Sequence, residues 1–246
     1  VAFPRFVTAE DPLHESYDPS IDGKSGTFIG LGLSFAKRAL GSTQRDIILV
    51  PSAWSGTGFC NNGLEHIAWN ADTPDPSSDW LGGTALHDRA LARINIALEE
   101  TGGILRGILW HQGEADANES ACANDYAANL RALIASLRTR IQIDARGPDA
   151  RGADALLPFV LGTMSRGDDE RGTFSEFDPF KTTVDLVHRT LPTEVPGVAV
   201  TNNDDLVPDA YPCGQGSCIH FGAAAYREMG RRYFEELQAL WTAADS

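Results

Sequence analysis

The amino-acid sequence predicts an α/β fold: a doubly wound parallel sheet with helices on both faces. Three observations predict it. Short apolar runs alternate along the chain with longer amphipathic stretches, which is the pattern of repeated strand–helix units. The run Ile104-Leu105-Arg106-Gly107-Ile108-Leu109-Trp110 is almost continuously apolar, as a strand covered on both faces of a parallel sheet must be. Polar residues and glycines gather directly after such runs, where open α/β sheets bind ligands at the carboxyl ends of their strands.

Taken in order, Phe28 to Leu40 has helical periodicity, and Asp46 to Pro51 reads as the first strand. Thr84 to Thr101 is a helix with Leu86, Ala90, Ile94 and Leu98 on one face, stopped by Gly102-Gly103, since glycine takes the left-handed conformation that ends a helix. Ile104 to Trp110 follows as a strand, then Asp125 to Arg140 as a helix. Asp144 to Asp154, rich in Gly, Asp and Arg, reads as an exposed excursion, and so does Arg166 to Thr173. Between them Pro158 to Met164 is a strand. Pro179 to Leu191, Val198 to Asn202 and Ala223 to Trp241 complete the series as helix, strand and helix. With no internal repeat and no low-complexity segment, residues 1–246 are expected to form a single domain.

The formal charge of −14 and the lack of any Lys/Arg cluster oppose nucleic acid as a partner, because no surface tracks phosphates. No apolar run approaches the length of a bilayer span, so no membrane partner is expected. The N-terminus lacks the basic and apolar regions of a signal peptide, so any export signal is expected to have been removed already. The cysteines, Cys60, Cys122, Cys213 and Cys218, lack the paired C-x-x-C spacing of a zinc site. Neither a metal nor another cofactor is expected. Cys213 and Cys218 bracket a glycine-rich loop that a disulfide can close, and Cys60 and Cys122 each follow a candidate site turn and can bridge neighbouring loops. Two disulfides indicate an oxidising compartment, secreted or periplasmic; the alternative is four free, buried thiols.

Three loops carry chemistry. In Val50-Pro51-Ser52-Ala53-Trp54-Ser55-Gly56-Thr57-Gly58, glycines let the backbone approach a ligand and aim N–H groups at a developing negative charge. In Trp110-His111-Gln112-Gly113-Glu114-Ala115-Asp116, Gln112 can donate from its amide to an oxyanion, and Glu114 can hold an imidazole in one tautomer. Otherwise the acids of this turn merely complement a helix dipole. In Ser217-Cys218-Ile219-His220-Phe221-Gly222, His220 can act as a general base or serve as a structural hydrogen-bonder. Trp54, Phe59, Trp69 and Trp80 either stack on a sugar ring or pack within the protein, the commoner use.

Together these blocks resemble the SGNH hydrolases, and within them the sialate O-acetylesterase-like group, carbohydrate esterase family 6. The resemblance rests on Gly32-Leu33-Ser34-Phe35-Ala36, Val50-Pro51 with Ser55-Gly56-Thr57, Ile108 to Asp116, Leu156 to Val160, and Ile219-His220-Phe221 ahead of Tyr226 and Gly230. It implies a flavodoxin-like sheet and hydrolysis of O-acetyl esters on a carbohydrate such as acetylxylan or a sialic-acid-like sugar. In it a serine attacks the acetyl carbonyl, His220 carries the proton, and backbone N–H groups with Gln112 stabilise the oxyanion. The resemblance places Gly56 near an oxyanion glycine and Thr57 in the same substrate-binding stretch. His111 is expected to brace its turn or line the pocket.

Two departures follow. Many SGNH enzymes carry the triad acid three residues before the histidine, where this chain has Ser217; Glu114 is the expected substitute, ahead of Asp204, Asp205 and Asp209. The family's Gly-Gln-Ser-Asn nucleophile block has no counterpart between Val1 and Ser246. The expectation is that a central strand bearing the serine lies upstream of Val1, or comes from a separate N-terminal polypeptide, because neighbouring strands without it keep unpaired backbone groups. Ser55 and Ser52 are the fallback nucleophiles. The competing reading from another class is a catalytically inactive carbohydrate-binding module on the same scaffold.

Overall fold

The computed structural model describes residues 6–11, 13, 29–54, 56–60, 68–70, 86–141, 156–166, 179–207 and 220–244. Among them, three short strands form a parallel sheet in the order β1 (Ile108–Trp110), β2 (Phe159–Gly162), β3 (Val198–Thr201). Leu109 lies opposite Val160, and Val160 opposite Ala199. Parallel neighbours require crossovers, supplied by α3 (Ser120–Arg140) and α4 (Pro179–Glu194). Helices α1 (Gly32–Thr43), α2 (Leu86–Thr101) and α5 (Ala223–Ala244) complete the described elements.

The pleat assigns the faces. On β2, Phe159 and Leu161 enter a core shared with α2, α3 and α4, whereas Val160 enters a second core with α1 and α5. Helices therefore cover both faces of the sheet, the α/β doubly wound arrangement that the sequence predicts. All four residues of β2 are buried, and those of β1 and β3 are buried or half-buried, which is why their sequences read as unbroken apolar runs.

The helices match the sequence expectation with shifts of a few residues at their ends. Gly102 takes φ +61° and closes α2, its N–H bonded to the carbonyl of Leu98 at 2.9 Å, as a glycine C-cap should. Two expectations change. Residues 46–51 make no strand pairing with any described segment, although Ile47 and Leu49 pack against the α1/α5 core and Val50 against the other. That alternation suits a pleated segment, but a strand exists only where a partner offers a ladder. Arg166 is not part of an exposed excursion; it is buried, 2.9 Å from Asp204 and 3.6 Å from Asp185. Residues 144–154 and 167–173 lie outside the described residues.

Helices α1 and α5 cross so closely at Gly230 that a Cβ there would stand 2.5 Å from the carbonyl oxygen of Leu31 and 2.6 Å from the backbone nitrogen of Phe35. Ser34 lies in the same contact, so its role is packing. Alanine would gain about 1 kcal/mol of helix propensity, but backbone atoms cannot move aside as a side chain can. Gly230→Ala is therefore expected to lower unfolding free energy by about 1–3 kcal/mol in urea denaturation. An unchanged midpoint would show that the helices separate at no cost.

Candidate active site

The turn after β1 is held from both faces of the sheet. Tyr233 of α5 donates to the carbonyl of Trp110 at 2.8 Å, and Tyr126 of α3 donates to the carbonyl of Gln112 at 2.9 Å. The Tyr126 hydroxyl also lies 2.8 Å from Nε2 of His188 on α4. With the tyrosine proton on Gln112, His188 Nε2 must donate to the tyrosine oxygen, which leaves Nδ1 as a buried acceptor without a described partner. Burial pushes the His188 pKa down to about 3, so the ring is neutral at working pH. A Cβ on Gly113 would stand 2.9 Å from Val184 Cγ1 and 3.0 Å from His188 Cε1, so the turn packs directly on α4 there.

Gln112 points inward and is 9% exposed. Its Nε2 donates to Asp116 Oδ2 at 2.7 Å and to the carbonyl of Thr57 at 3.2 Å. Both amide protons are thus engaged, and Oε1 is buried without a described partner. The expected amide, free to donate to an oxyanion, is here already bound within the protein. Asp116 also accepts from the backbone N–H groups of Phe59 and Cys60, at 2.9 and 3.2 Å. Burial pushes its carboxyl upward from the ordinary aspartate value, and these hydrogen bonds oppose the shift.

The His111 side chain stands between Tyr233 and Phe221. Its Nδ1 lies 3.3 Å from the Tyr233 hydroxyl, and its ring centroid lies 5.7 Å from that of Phe221. Burial lowers its pKa, and Glu114 opposes that shift. Glu114, expected beside His220, stands instead against His111, with Oε1 3.7 Å from Nε2. Its side chain is 27% exposed. His220 is exposed, next in sequence to Phe221, which is buried. The two loops therefore meet through His111 and Phe221, although no contact joins Glu114 to His220 among the described residues. Asp204 is committed to Arg166 and Arg189, and Asp205 to Arg232. Asp209 and Ser217 lie outside the described residues.

In the 51–60 loop, Gly56 is exposed with φ +69°, a conformation that glycine adopts without strain. The Thr57 hydroxyl donates to the carbonyl of Trp54 at 2.8 Å and accepts from Trp69 Nε1 at 3.0 Å. The Ser52 Oγ is buried without a described partner, and Ser55 lies outside the described residues. A disulfide joins Cys60 to Cys122, as the sequence expects; Cys213 and Cys218 fall outside the described residues. Phe59 and Trp69 pack on Trp110, at 6.0 and 5.0 Å between ring centroids. Trp54 packs against the same core with Arg89 over its ring. These three aromatics are packing residues, and Trp80 is outside the described residues. The one compact group of metal-ligating types among the described residues is Cys60, Asp116 and Cys122, but disulfide sulfurs carry no thiolate to bind an ion.

Sequence reasoning missed Asp116, Tyr126 and His188. Asp116 stands in the quoted turn but reads there as a helix-dipole complement. Tyr126 and His188 carry no local signal, being single residues on helix faces far apart in sequence. A buried amide, an exposed imidazole and a half-exposed carboxylate on neighbouring loops are a set that can serve acyl transfer.

Comparison with known proteins adds to this geometry. The family model described as "Carbohydrate esterase, sialic acid-specific acetylesterase" matches residues 2–239. A probable carbohydrate esterase of Arabidopsis thaliana is 28% identical over 137 residues, which cover 54% of this chain and 44% of that protein. The chain thus spans less than half the length of the curated relative it matches. The crystal structure of that Arabidopsis protein has TM-score 0.61 at 19% identity, over 86% of this chain and 68% of that one. The crystal structure of NanS has TM-score 0.64 at 17% identity, over 90% and 74% of the two chains. At these identities the structural likeness establishes the fold alone.

Proposed function

Because the chain belongs to the carbohydrate esterase, sialic acid-specific acetylesterase family, we propose that it is a serine esterase that removes O-acetyl groups from a carbohydrate. The observation that carries this reading is the meeting of the Gln112 turn with the His220 segment through His111 and Phe221. His220 takes the proton of a serine hydroxyl as its oxygen bonds to the acetyl carbon. The proton then passes to the sugar oxygen as the ester C–O bond breaks, and water releases acetate from the serine by the same relay. Gln112 keeps one N–H on Asp116, and the other, spent at 3.2 Å on the Thr57 carbonyl, is the one that turns to the oxyanion beside the Gly56 backbone. Glu114 is the acid that holds His220. It is the turn's carboxylate without a backbone or arginine partner among the described residues, and its looser 3.7 Å contact with His111 leaves it able to move.

The nucleophile is proposed to lie on a segment outside residues 1–246, carried by the same protein or by a separate polypeptide, with Ser52 and Ser55 as fallbacks. The Cys60–Cys122 disulfide supports a secreted or periplasmic setting. No described helix is long and apolar enough to cross a membrane.

Acetate release from O-acetylated sialic acid and from acetylxylan tests the activity. Release from one of them is expected; tight binding of both without release would favour the carbohydrate-binding reading. For Glu114→Gln, kcat is expected to fall by about 10-fold or more with KM near wild type, since orientation of the imidazole counts mainly in the transition state. An unchanged kcat would leave Glu114 as no more than the partner of His111.

A further inference from the structure

We propose that Asp116 is a positioning residue, which fixes the Gln112 amide and the backbone of residues 57–60 as one unit and so sets which polar atoms Gln112 presents to a ligand. The carboxylate has no exposed surface and, among the described residues, no cationic partner. Its charge is met by three donors: the N–H groups of Phe59 and Cys60 and the Gln112 amide. Three converging donors call for a side chain that only accepts, which an aspartate is and an asparagine is not.

The surroundings are shaped for that carboxylate. A Cβ on Gly58 would stand 2.6 Å from Asp116 Oδ2 and 2.8 Å from Cγ, so the loop passes over the acid only because residue 58 has no side chain. A charge-assisted bond to Oδ2 at 2.7 Å also settles the orientation of the amide, since turning it over would set Oε1 against a carboxylate. Asp116 thereby decides that Oε1 is the atom left without a partner. The Cys60–Cys122 disulfide ties the same loop to α3 independently, so the loop stays attached when the acid is changed. The consequence for turnover rests on the esterase reading; the hold on Gln112 does not.

The test is Asp116→Asn, read by side-chain amide NMR and by kinetics on p-nitrophenyl acetate. In the wild-type protein, one Gln112 side-chain proton is expected far downfield and protected from exchange; its absence would overturn the proposal without any variant. In Asp116→Asn an amide nitrogen replaces one of the two accepting oxygens, and so opposes either Gln112 Nε2 or the Phe59 and Cys60 N–H groups. The Gln112 signals and the Phe59 and Cys60 amides are expected to shift together, and kcat to fall about 10²-fold, the scale of a misplaced catalytic group, with KM near wild type. Unmoved Gln112 signals, or moved signals with unchanged kcat, would overturn it. If Asp116→Asn fails to fold, Gly58→Ala presses a methyl group on the same carboxylate, and the same shifts are expected. A wild-type protein without esterase activity would remove the esterase reading, while the NMR arm still decides whether Asp116 holds Gln112.

Discussion

Replacing His220 by alanine is expected to lower kcat on p-nitrophenyl acetate by on the order of 10²- to 10⁴-fold, the contribution of a general base, with KM little changed. The expectation follows from where the residue stands. His220 is exposed and has no described hydrogen-bond partner, while its neighbour Phe221 is buried against His111 and Tyr226, with ring centroids 5.7 and 6.0 Å away. The anchor is thus the phenylalanine, and truncating the histidine removes no packing. Surface substitutions of this kind change stability by no more than about 0.5 kcal/mol, so a large fall in activity reports chemistry rather than unfolding. Full activity in His220→Ala would remove the histidine from the mechanism.

Gln112→Ala is expected to cost about 10²- to 10³-fold in kcat, the effect of deleting one oxyanion donor. Here a structural effect accompanies the catalytic one. The amide satisfies Asp116 Oδ2 and the Thr57 carbonyl, and a buried acceptor left unmet costs about 1–3 kcal/mol. Thermal unfolding should therefore shift downward as well, and kinetics should be measured well below the variant's midpoint. An effect on KM alone would show that Gln112 contacts substrate without stabilising the transition state.

The parts of this molecule legible in its sequence are those that local chemistry decides. Helix α2 stops at Gly102 because the chain needs a left-handed residue there, and β2 reads as a strand because Phe159, Val160 and Leu161 are buried on whichever face they meet. Pairing is not local. Residues 104–107 look like strand but lie outside β1, which begins at Ile108, where the N–H reaches the carbonyl of Pro158 at 2.9 Å. Residues 46–51 have the alternation of a strand without a described partner. The site divides in the same way. His111, Gln112 and Glu114 stand out because they are contiguous in one turn. Asp116 stands beside them, but its work is done on Phe59 and Cys60, more than fifty residues away. Tyr126 and His188 meet 62 residues apart, so no spacing rule joins them to the turn. Glu114 shows the limit most clearly. Its residue type suggests an imidazole partner and the structure supplies one, but it is the histidine three residues away rather than the one near the end of the chain.

In the proposed mechanism Gln112 and His220 face one acylated serine. The most direct measurement is a crystal structure of the protein inactivated by a small organophosphonate, with the labelled residue mapped by mass spectrometry. A single serine adduct is expected, its phosphonyl oxygen within about 3 Å of Gln112 Nε2 and its serine oxygen within hydrogen-bond reach of the His220 ring. A label on a serine remote from both side chains, or acetate release that continues after the adduct is complete, would contradict it.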